Sequence, residues 1–305
     1  MTFLHDVWAA FGSHPRRLSP KYLYDEEGSR LFEKICETPE YYPTRTEIEL
    51  LERVDSQLHQ AGYAIRSVIE PGSGAGAKTL LLFHALPNVE TYVPIEISPK
   101  ALDASVRRMA DVFPSVHSIP ISGDFTGRLR VPYSVRGPRL VFFPGSTLGN
   151  FEPEDARRLL EEFSRLAGSE GRLLIGIDLV KPRDILEAAY NDGQGVTADF
   201  NLNLLHRINR ELGGDIDPST FEHVAHWDER LSRVEMHLRS KRVQKVVISS
   251  REFVFDRGET LQTESSYKYT QESFESLAQS AALQVEKFWT DDRGWFGLAW
   301  LRPAA

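Results

Sequence analysis

The rhythm of apolar and polar positions changes along this chain, and each change marks an element. Arg66-Ser67-Val68-Ile69-Glu70 is a short apolar run that ends in glycines and gives way to a helical period over Lys78 to Leu86. Thr91 to Ile97 repeats the strand signal and Lys100 to Val112 the helical one. Val116 to Ile121, Leu140 to Phe143 and Arg172 to Asp178 are further strands. Pro153 to Leu166 reads as the helix before the last of these, with Glu152, Glu154 and Asp155 near its positive end. Strands alternating with helices predict right-handed crossovers and a doubly wound, mainly parallel sheet, an α/β fold.

After Val180 the rhythm breaks. Ile185 to Arg210 reads as two helices interrupted by Asn191-Asp192-Gly193-Gln194-Gly195. Glu222 to Lys245 and Val246 to Phe255 alternate loosely, as antiparallel strands with one wet face do. Thr270 to Ser280 is helical again, with Thr270 as N-cap. Leu283 to Thr290 and Trp295 to Leu301 flank Asp291-Asp292-Arg293-Gly294, a hairpin signal. An antiparallel hairpin that completes a parallel sheet predicts a seven-stranded, Rossmann-like class I methyltransferase fold rather than a dinucleotide dehydrogenase.

Composition narrows the classes. The 305 residues suffice for about two domains, and 41% hydrophobic with 26% charged residues argues against disorder and coiled coil. A net charge of −8 lacks the basic footprint of a nucleic-acid binder. The single cysteine, Cys36, makes no intrachain disulfide or thiolate metal cluster, in keeping with a reducing compartment. Met1-Thr2-Phe3-Leu4-His5-Asp6 has no signal-peptide character and no apolar run reaches about 18 residues, so the expectation is a cytoplasmic protein without membrane contact.

Candidate chemistry starts at Glu70-Pro71-Gly72-Ser73-Gly74-Ala75-Gly76-Ala77-Lys78. Small residues at the carboxyl end of the first strand admit a ligand to the backbone, and the following helix offers free N–H groups. The same turn also serves where a strand merely enters a helix, and it lacks the ending of a Walker loop. Glu96 ends the next strand about 20 residues on, where a carboxylate can accept both ribose hydroxyls. Asp124 and Phe125 follow the third strand, an acceptor for an adenine amino group beside an aromatic ring; a turn aspartate and a core phenylalanine are the plain alternatives. Together these elements indicate a nucleoside and leave S-adenosylmethionine (SAM) and NAD both open. The terminal hairpin and the segment after the fourth strand favour SAM.

That segment, Phe142-Phe143-Pro144-Gly145-Ser146-Thr147-Leu148-Gly149-Asn150-Phe151, joins three others. They are Tyr22-Leu23-Tyr24-Asp25 with Gly28-Ser29-Arg30-Leu31-Phe32, Pro39-Glu40-Tyr41-Tyr42-Pro43-Thr44-Arg45-Thr46-Glu47, and Thr263-Glu264-Ser265-Ser266-Tyr267-Lys268-Tyr269. With these stretches in the family's order along the chain, from about Leu18 to Arg302, the sequence resembles the histidine-specific Nα-methyltransferases of ergothioneine biosynthesis. The resemblance implies an enzyme that trimethylates the α-amino group of L-histidine to hercynine, with SAM as donor and S-adenosylhomocysteine as product. It implies that Asn150 and Tyr190 bind the carboxylate, that Glu264 and Ser266 hold the imidazole, and that Tyr24 reaches the ring through water. Tyr41 is placed beside the amino group as the catalytic tyrosine, and Phe32, Gly145 and Met236 line the pocket. SAM contacts are implied for Tyr41, Gly72, Lys78, Glu96, Asp124 and Phe125. The cofactor loop departs from the Gly-Ser-Gly-Thr-Ser-Glu-Lys of many relatives, and Glu96 replaces a common aspartate.

Each of these side chains also has an ordinary reading. The tyrosines suit an amphipathic core, Asn150 suits the cap of the helix after it, Glu264 and Ser266 suit a solvated turn, and Met236 suits core filling. His223, His226 and His237 show no metal-ligand spacing with a completing carboxylate, so no metal is expected. The motif map predicts that residues 46–180 and 269–305 bind SAM and that 1–45 and 181–268 form a discontinuous α+β substrate domain, in a monomer.

Overall fold

The computed structural model describes residues 2–74 and 76–304; Met1, Ala305 and Ala75 of the glycine loop lie outside the described residues. In chain order the elements begin with α1 (Phe3–Gly12), β1 (Arg16–Arg17), α2 (Glu26–Glu37), α3 (Tyr42–Arg53) and α4 (Asp55–Ala61). Next come β2 (Ser67–Pro71), α5 (Ala77–Ala85), β3 (Thr91–Glu96), α6 (Pro99–Val112), β4 (His117–Ser118), β5 (Ile121–Ser122) and β6 (Arg139–Phe143). Then follow α7 (Pro153–Ala167), β7 (Arg172–Asp178), α8 (Arg183–Ala189), α9 (Val196–Leu212), β8 (Phe221–Asp228) and β9 (Arg233–Ser240). The chain closes with β10 (Gln244–Ile248), β11 (Arg251–Phe255), β12 (Thr260–Tyr267), α10 (Gln271–Ser280), β13 (Leu283–Thr290) and β14 (Phe296–Pro303).

Two compact units share these elements: Met1–Tyr42 with Lys181–Lys268, and Pro43–Val180 with Tyr269–Ala305. The first crossing falls in the opening turn of α3, three residues before the position predicted from the motifs.

The second unit is the α/β sheet, with strand order β13-β14-β7-β6-β2-β3-β4 and β5 also paired to β3. All pairs are parallel except those that β14 makes with β13 and β7, which is the class I methyltransferase arrangement. β2, β6 and β7 are near-continuous apolar runs because helices cover both faces of a parallel sheet. Leu50, Leu51, Val54 and Leu58 of α3 and α4 pack with Val68, Tyr92, Leu140, Leu174 and Trp300. The strand expected over Val116 to Ile121 is two short pieces instead, because Pro120 has no N–H to continue the ladder. Asp291 makes the terminal hairpin turn by accepting from the N–H groups of Trp295 (2.6 Å) and Phe296 (2.8 Å).

In α10 the Thr270 hydroxyl accepts from the Ser273 N–H while the Ser273 hydroxyl accepts from the Thr270 N–H, a closed capping box. Thr270→Ala is therefore expected to cost about 1 kcal/mol, read as a lower denaturant midpoint at unchanged slope.

The first unit is built on a four-stranded sheet, β1-β12-β9-β8, with β10–β11 as a separate hairpin. The structure departs from some plain alternative readings of the sequence, in this unit and, for Asn150, in the other. Glu222 to Lys245 is broken at 229–232 and again at 241–243, and Val246 to Phe255 turns back at Ser249 and Ser250, both at positive φ. Glu264 and Ser266 lie in β12, which the sequence does not announce, and both are buried, so they are no solvated turn. Asn150 ends a short 3-10 turn (Thr147–Asn150), and Glu152 rather than Asn150 occupies the cap position of α7. Among the described residues no helix is long and apolar enough to cross a membrane.

Candidate active site

In the α/β unit the glycine loop leaves β2 with Gly72, Gly74 and Gly76 all at positive φ. Gly76 caps α5 without a side-chain hydrogen bond, so the first N–H groups of that helix stay available. A Cβ on Gly72 would stand 3.2 Å from the Phe125 ring, and Phe125 packs edge-on against Phe143 (5.5 Å) and Phe151 (6.2 Å). The structure thus brings Gly72 and Phe125 together as an aromatic wall on a bare backbone.

Glu96 is drawn to the same loop. Its Oε1 accepts from the N–H groups of Ile97 (2.9 Å) and Ser98 (3.1 Å), and Oε2 lies 3.4 Å from the Gly74 nitrogen. Asp124 is also a turn residue: its Oδ1 accepts from the backbone and hydroxyl of Thr126 (2.9 and 2.6 Å). Beneath the loop Glu70 is fully buried and held by Thr79 (2.8 Å) and Tyr92 (2.5 Å). Burial pushes its carboxyl up to about 7.

Lys78 does not point freely into this site. Its ammonium donates to Glu47 at 2.5 Å, and Glu47, with no exposed surface, also accepts from the Gly145 N–H at 2.8 Å. Gly145 stands at φ +82°, so the predicted pocket-lining glycine is tied to the cofactor-side lysine. Glu47 was not singled out from sequence, although it ends the Tyr-Tyr-Pro-Thr-Arg-Thr-Glu stretch. Gly176 is what admits it: a Cβ there would sit 2.0 Å from the Glu47 carboxylate. Asn150 belongs to this unit as well, half-buried in its 3-10 turn.

The other predicted residues gather in the first unit as a chain of rings. Tyr24 meets Phe32 at 5.5 Å and Phe200 at 5.4 Å, Phe32 meets Tyr41 at 6.0 Å, and Tyr41 meets Tyr190 at 6.4 Å. Phe200, from α9, was missed because one phenylalanine in an amphipathic helix carries no signal of its own. Burial raises the phenols of Tyr24 and Tyr41 well above their usual range, with Tyr190, Cys36 and Glu264 adding to the effect in both. Both are therefore protonated at neutral pH.

Into this apolar group β12 delivers a carboxylate. Glu264 is 7% exposed and lies opposite Met236 of β9, itself buried, beside the register shift between Gln262 and Glu264. Its Oε2 has no hydrogen-bond partner, and burial lifts the carboxyl to about 7, offset in part by the nearby Lys268. Two residues on, Ser266 Oγ accepts from the Tyr190 hydroxyl (2.8 Å) and from the Lys268 ammonium (2.9 Å). A buried acid without a partner is costly, so this arrangement is built for a ligand that brings a donor.

One histidine reading is corrected. The ring nitrogens of His226 and His237 lie 3.5 and 2.8 Å from Glu235 Oε2, a carboxylate the sequence spacing did not reveal because it faces His226 across strands. Arg233 binds the other oxygen of Glu235 through Nε (2.8 Å) and its terminal nitrogen, which makes the cluster a charge-balanced network with a guanidinium already in place.

The family model for a SAM-dependent, histidine-specific methyltransferase matches residues 3–303. The histidine N-alpha-methyltransferases of Mycolicibacterium smegmatis and Mycobacterium tuberculosis are each 37% identical over 96% of this chain and 92% of their own. An L-tryptophan methyltransferase of Psilocybe serbica is 26% identical over 94% of this chain and 88% of its own. The chain is thus a SAM-dependent methyltransferase and belongs to the histidine-specific methyltransferase family.

Proposed function

We propose that this enzyme transfers methyl groups from SAM to the α-amino nitrogen of L-histidine, three times, to give the hercynine of ergothioneine biosynthesis. The observation that carries the reading is the buried, unpartnered carboxylate of Glu264, whose charge acts on the buried phenols of Tyr24 and Tyr41. An imidazole N–H satisfies that oxygen, whereas a phenyl ring leaves it bare.

SAM, when bound, supplies a methyl group on an already activated sulfonium. In this reading the Glu96 carboxylate receives the ribose hydroxyls, Gly72 and Phe125 flank the base, Asp124 accepts from the adenine amine, and Lys78 takes the donor's carboxylate. Asn150 and Tyr190 hold the carboxylate of the amino acid without adding a formal charge. The reactive form is the neutral amine, so one proton leaves before each transfer. Tyr41, with its phenol held protonated, orients the amine and passes that proton towards water instead of acting as a resting phenolate base. The quaternary ammonium formed last no longer donates a hydrogen bond, and the Tyr41 and Phe32 rings suit it by cation–π attraction. We also take the enzyme to be a cytoplasmic monomer, a point for size-exclusion chromatography.

The test is mass spectrometry of L-histidine incubated with SAM and purified protein. Mass gains of one, two and three methyl groups confined to the α-nitrogen are expected. An unchanged histidine, or a methylated ring, would overturn the proposal. The second reading, an aromatic amino acid other than histidine, has the tryptophan enzyme of Psilocybe serbica as its precedent; Glu264 stands against a phenyl side chain, whereas an indole N–H satisfies it too.

A further inference from the structure

We infer that Lys268 is a specificity-determining residue: its ammonium, held on Ser266, turns the serine proton towards the substrate ring and so restricts the pocket to the neutral imidazole. The inference rests on the histidine reading above and deepens it. Lys268 is a 3% exposed lysine at the end of the β12 segment. Its ammonium donates to Tyr190 Oη at 2.8 Å and to Ser266 Oγ at 2.9 Å, and stands 4.8 Å from the centre of the Tyr190 ring.

The consequence follows from counting lone pairs. A serine oxygen accepts two hydrogen bonds and donates one. Ser266 Oγ receives the Lys268 ammonium and, without substrate, the Tyr190 hydroxyl; once that hydroxyl turns to the substrate carboxylate, Lys268 still holds one lone pair and turns the serine proton away from itself. Glu264, two residues earlier on the strand, offers only acceptor oxygens once ionised. One acceptor and one donor match a neutral imidazole, with one N–H and one bare nitrogen. An imidazolium, with two N–H groups, would bring its second N–H and its charge against a serine oxygen that a buried ammonium already holds at 2.9 Å. When the Tyr190 hydroxyl turns to a substrate carboxylate, that ammonium stays, and its charge faces the same carboxylate through the phenol oxygen. Both effects favour an amino acid with a neutral ring and an ionised carboxylate.

Two measurements decide it. In the first, ring-¹⁵N-labelled L-histidine is bound to the wild-type protein with S-adenosylhomocysteine, and its nitrogen shifts are followed from pH 6 to 9. One protonated and one bare nitrogen throughout is the expected result; an imidazolium signature below the Glu264 transition would overturn the inference. The second is a double-mutant cycle of Lys268→Met and Ser266→Ala. Each alone is expected to raise KM for histidine by about 10- to 100-fold, the loss of a charged or buried hydrogen bond, at SAM affinity within about twofold. The pair is expected to be little worse than Lys268→Met alone. Additive effects would mean that Lys268 acts independently of Ser266. If wild-type protein neither binds nor methylates histidine, the substrate reading itself has failed; that outcome is distinct from normal histidine turnover with additive variants. Should Lys268→Met not fold, the nitrogen shifts of the wild type still decide.

Discussion

Glu264→Leu is expected to lower kcat/KM for L-histidine by about 10³-fold or more while SAM affinity stays within about twofold. A site built to pair a substrate N–H rejects a substrate it cannot pair, and here the substitution removes the partner from the protein side. Leucine keeps most of the volume, so the loss is of the acceptor rather than of packing. The same variant should improve phenylalanine as a substrate, because the penalty for covering an unpaired carboxylate disappears. Steady-state kinetics on both amino acids, with SAM binding by calorimetry, read the two effects separately.

Stability moves the other way. The Glu264 carboxyl is raised from 4.5 to about 7 by burial. A carboxyl raised in the folded state contributes most below its unfolded value, and that contribution is lost as pH rises from about 4.5 through about 7. The loss is roughly 3 kcal/mol for a shift of this size. Glu70 has the same form but remains in both proteins, so the difference between wild type and Glu264→Leu isolates Glu264. The variant should therefore gain stability relative to wild type between pH 5 and pH 8. An unchanged difference across that range would mean that Glu264 is not desolvated as the fold requires.

The second large effect is on the donor side. Glu96→Ala is expected to weaken SAM binding by about 10²-fold, the loss of two hydrogen bonds to a charged acceptor, with the histidine affinity of the free protein little changed. Glu96 already accepts from Ile97, Ser98 and Gly74, so its removal also loosens the loop that would carry the nucleoside. Isothermal titration with SAM and, separately, with histidine distinguishes the two variants as mirror images. Loss of both affinities in either variant would place the two ligands on one set of residues.

Much of this architecture is legible in the sequence because a parallel sheet buried on both faces leaves long apolar runs. β2, β3, β6 and β7 announce themselves in that way, and the Asp291 turn marks the last hairpin. β12 does not. Gln262, Thr263, Glu264 and Ser266 are all buried although polar, so neither alternation nor an apolar run betrays the strand. The residues of the candidate site follow the same division. Those inside distinctive stretches are found from the stretches themselves. Phe200, Glu47 and Lys268 act through neighbours far away in sequence, as Glu47 does on Gly145 and Lys268 on Tyr190, and only folding brings them together.

The central claim is that a lone buried acid in an aromatic pocket selects histidine. A competition assay tests it most directly: equimolar L-histidine, L-tryptophan and L-phenylalanine share limiting SAM with the wild-type enzyme, and the methylated products are counted by mass. Nearly all methyl groups on the α-nitrogen of histidine is the result predicted here, whereas methylation mainly of tryptophan or phenylalanine would contradict it.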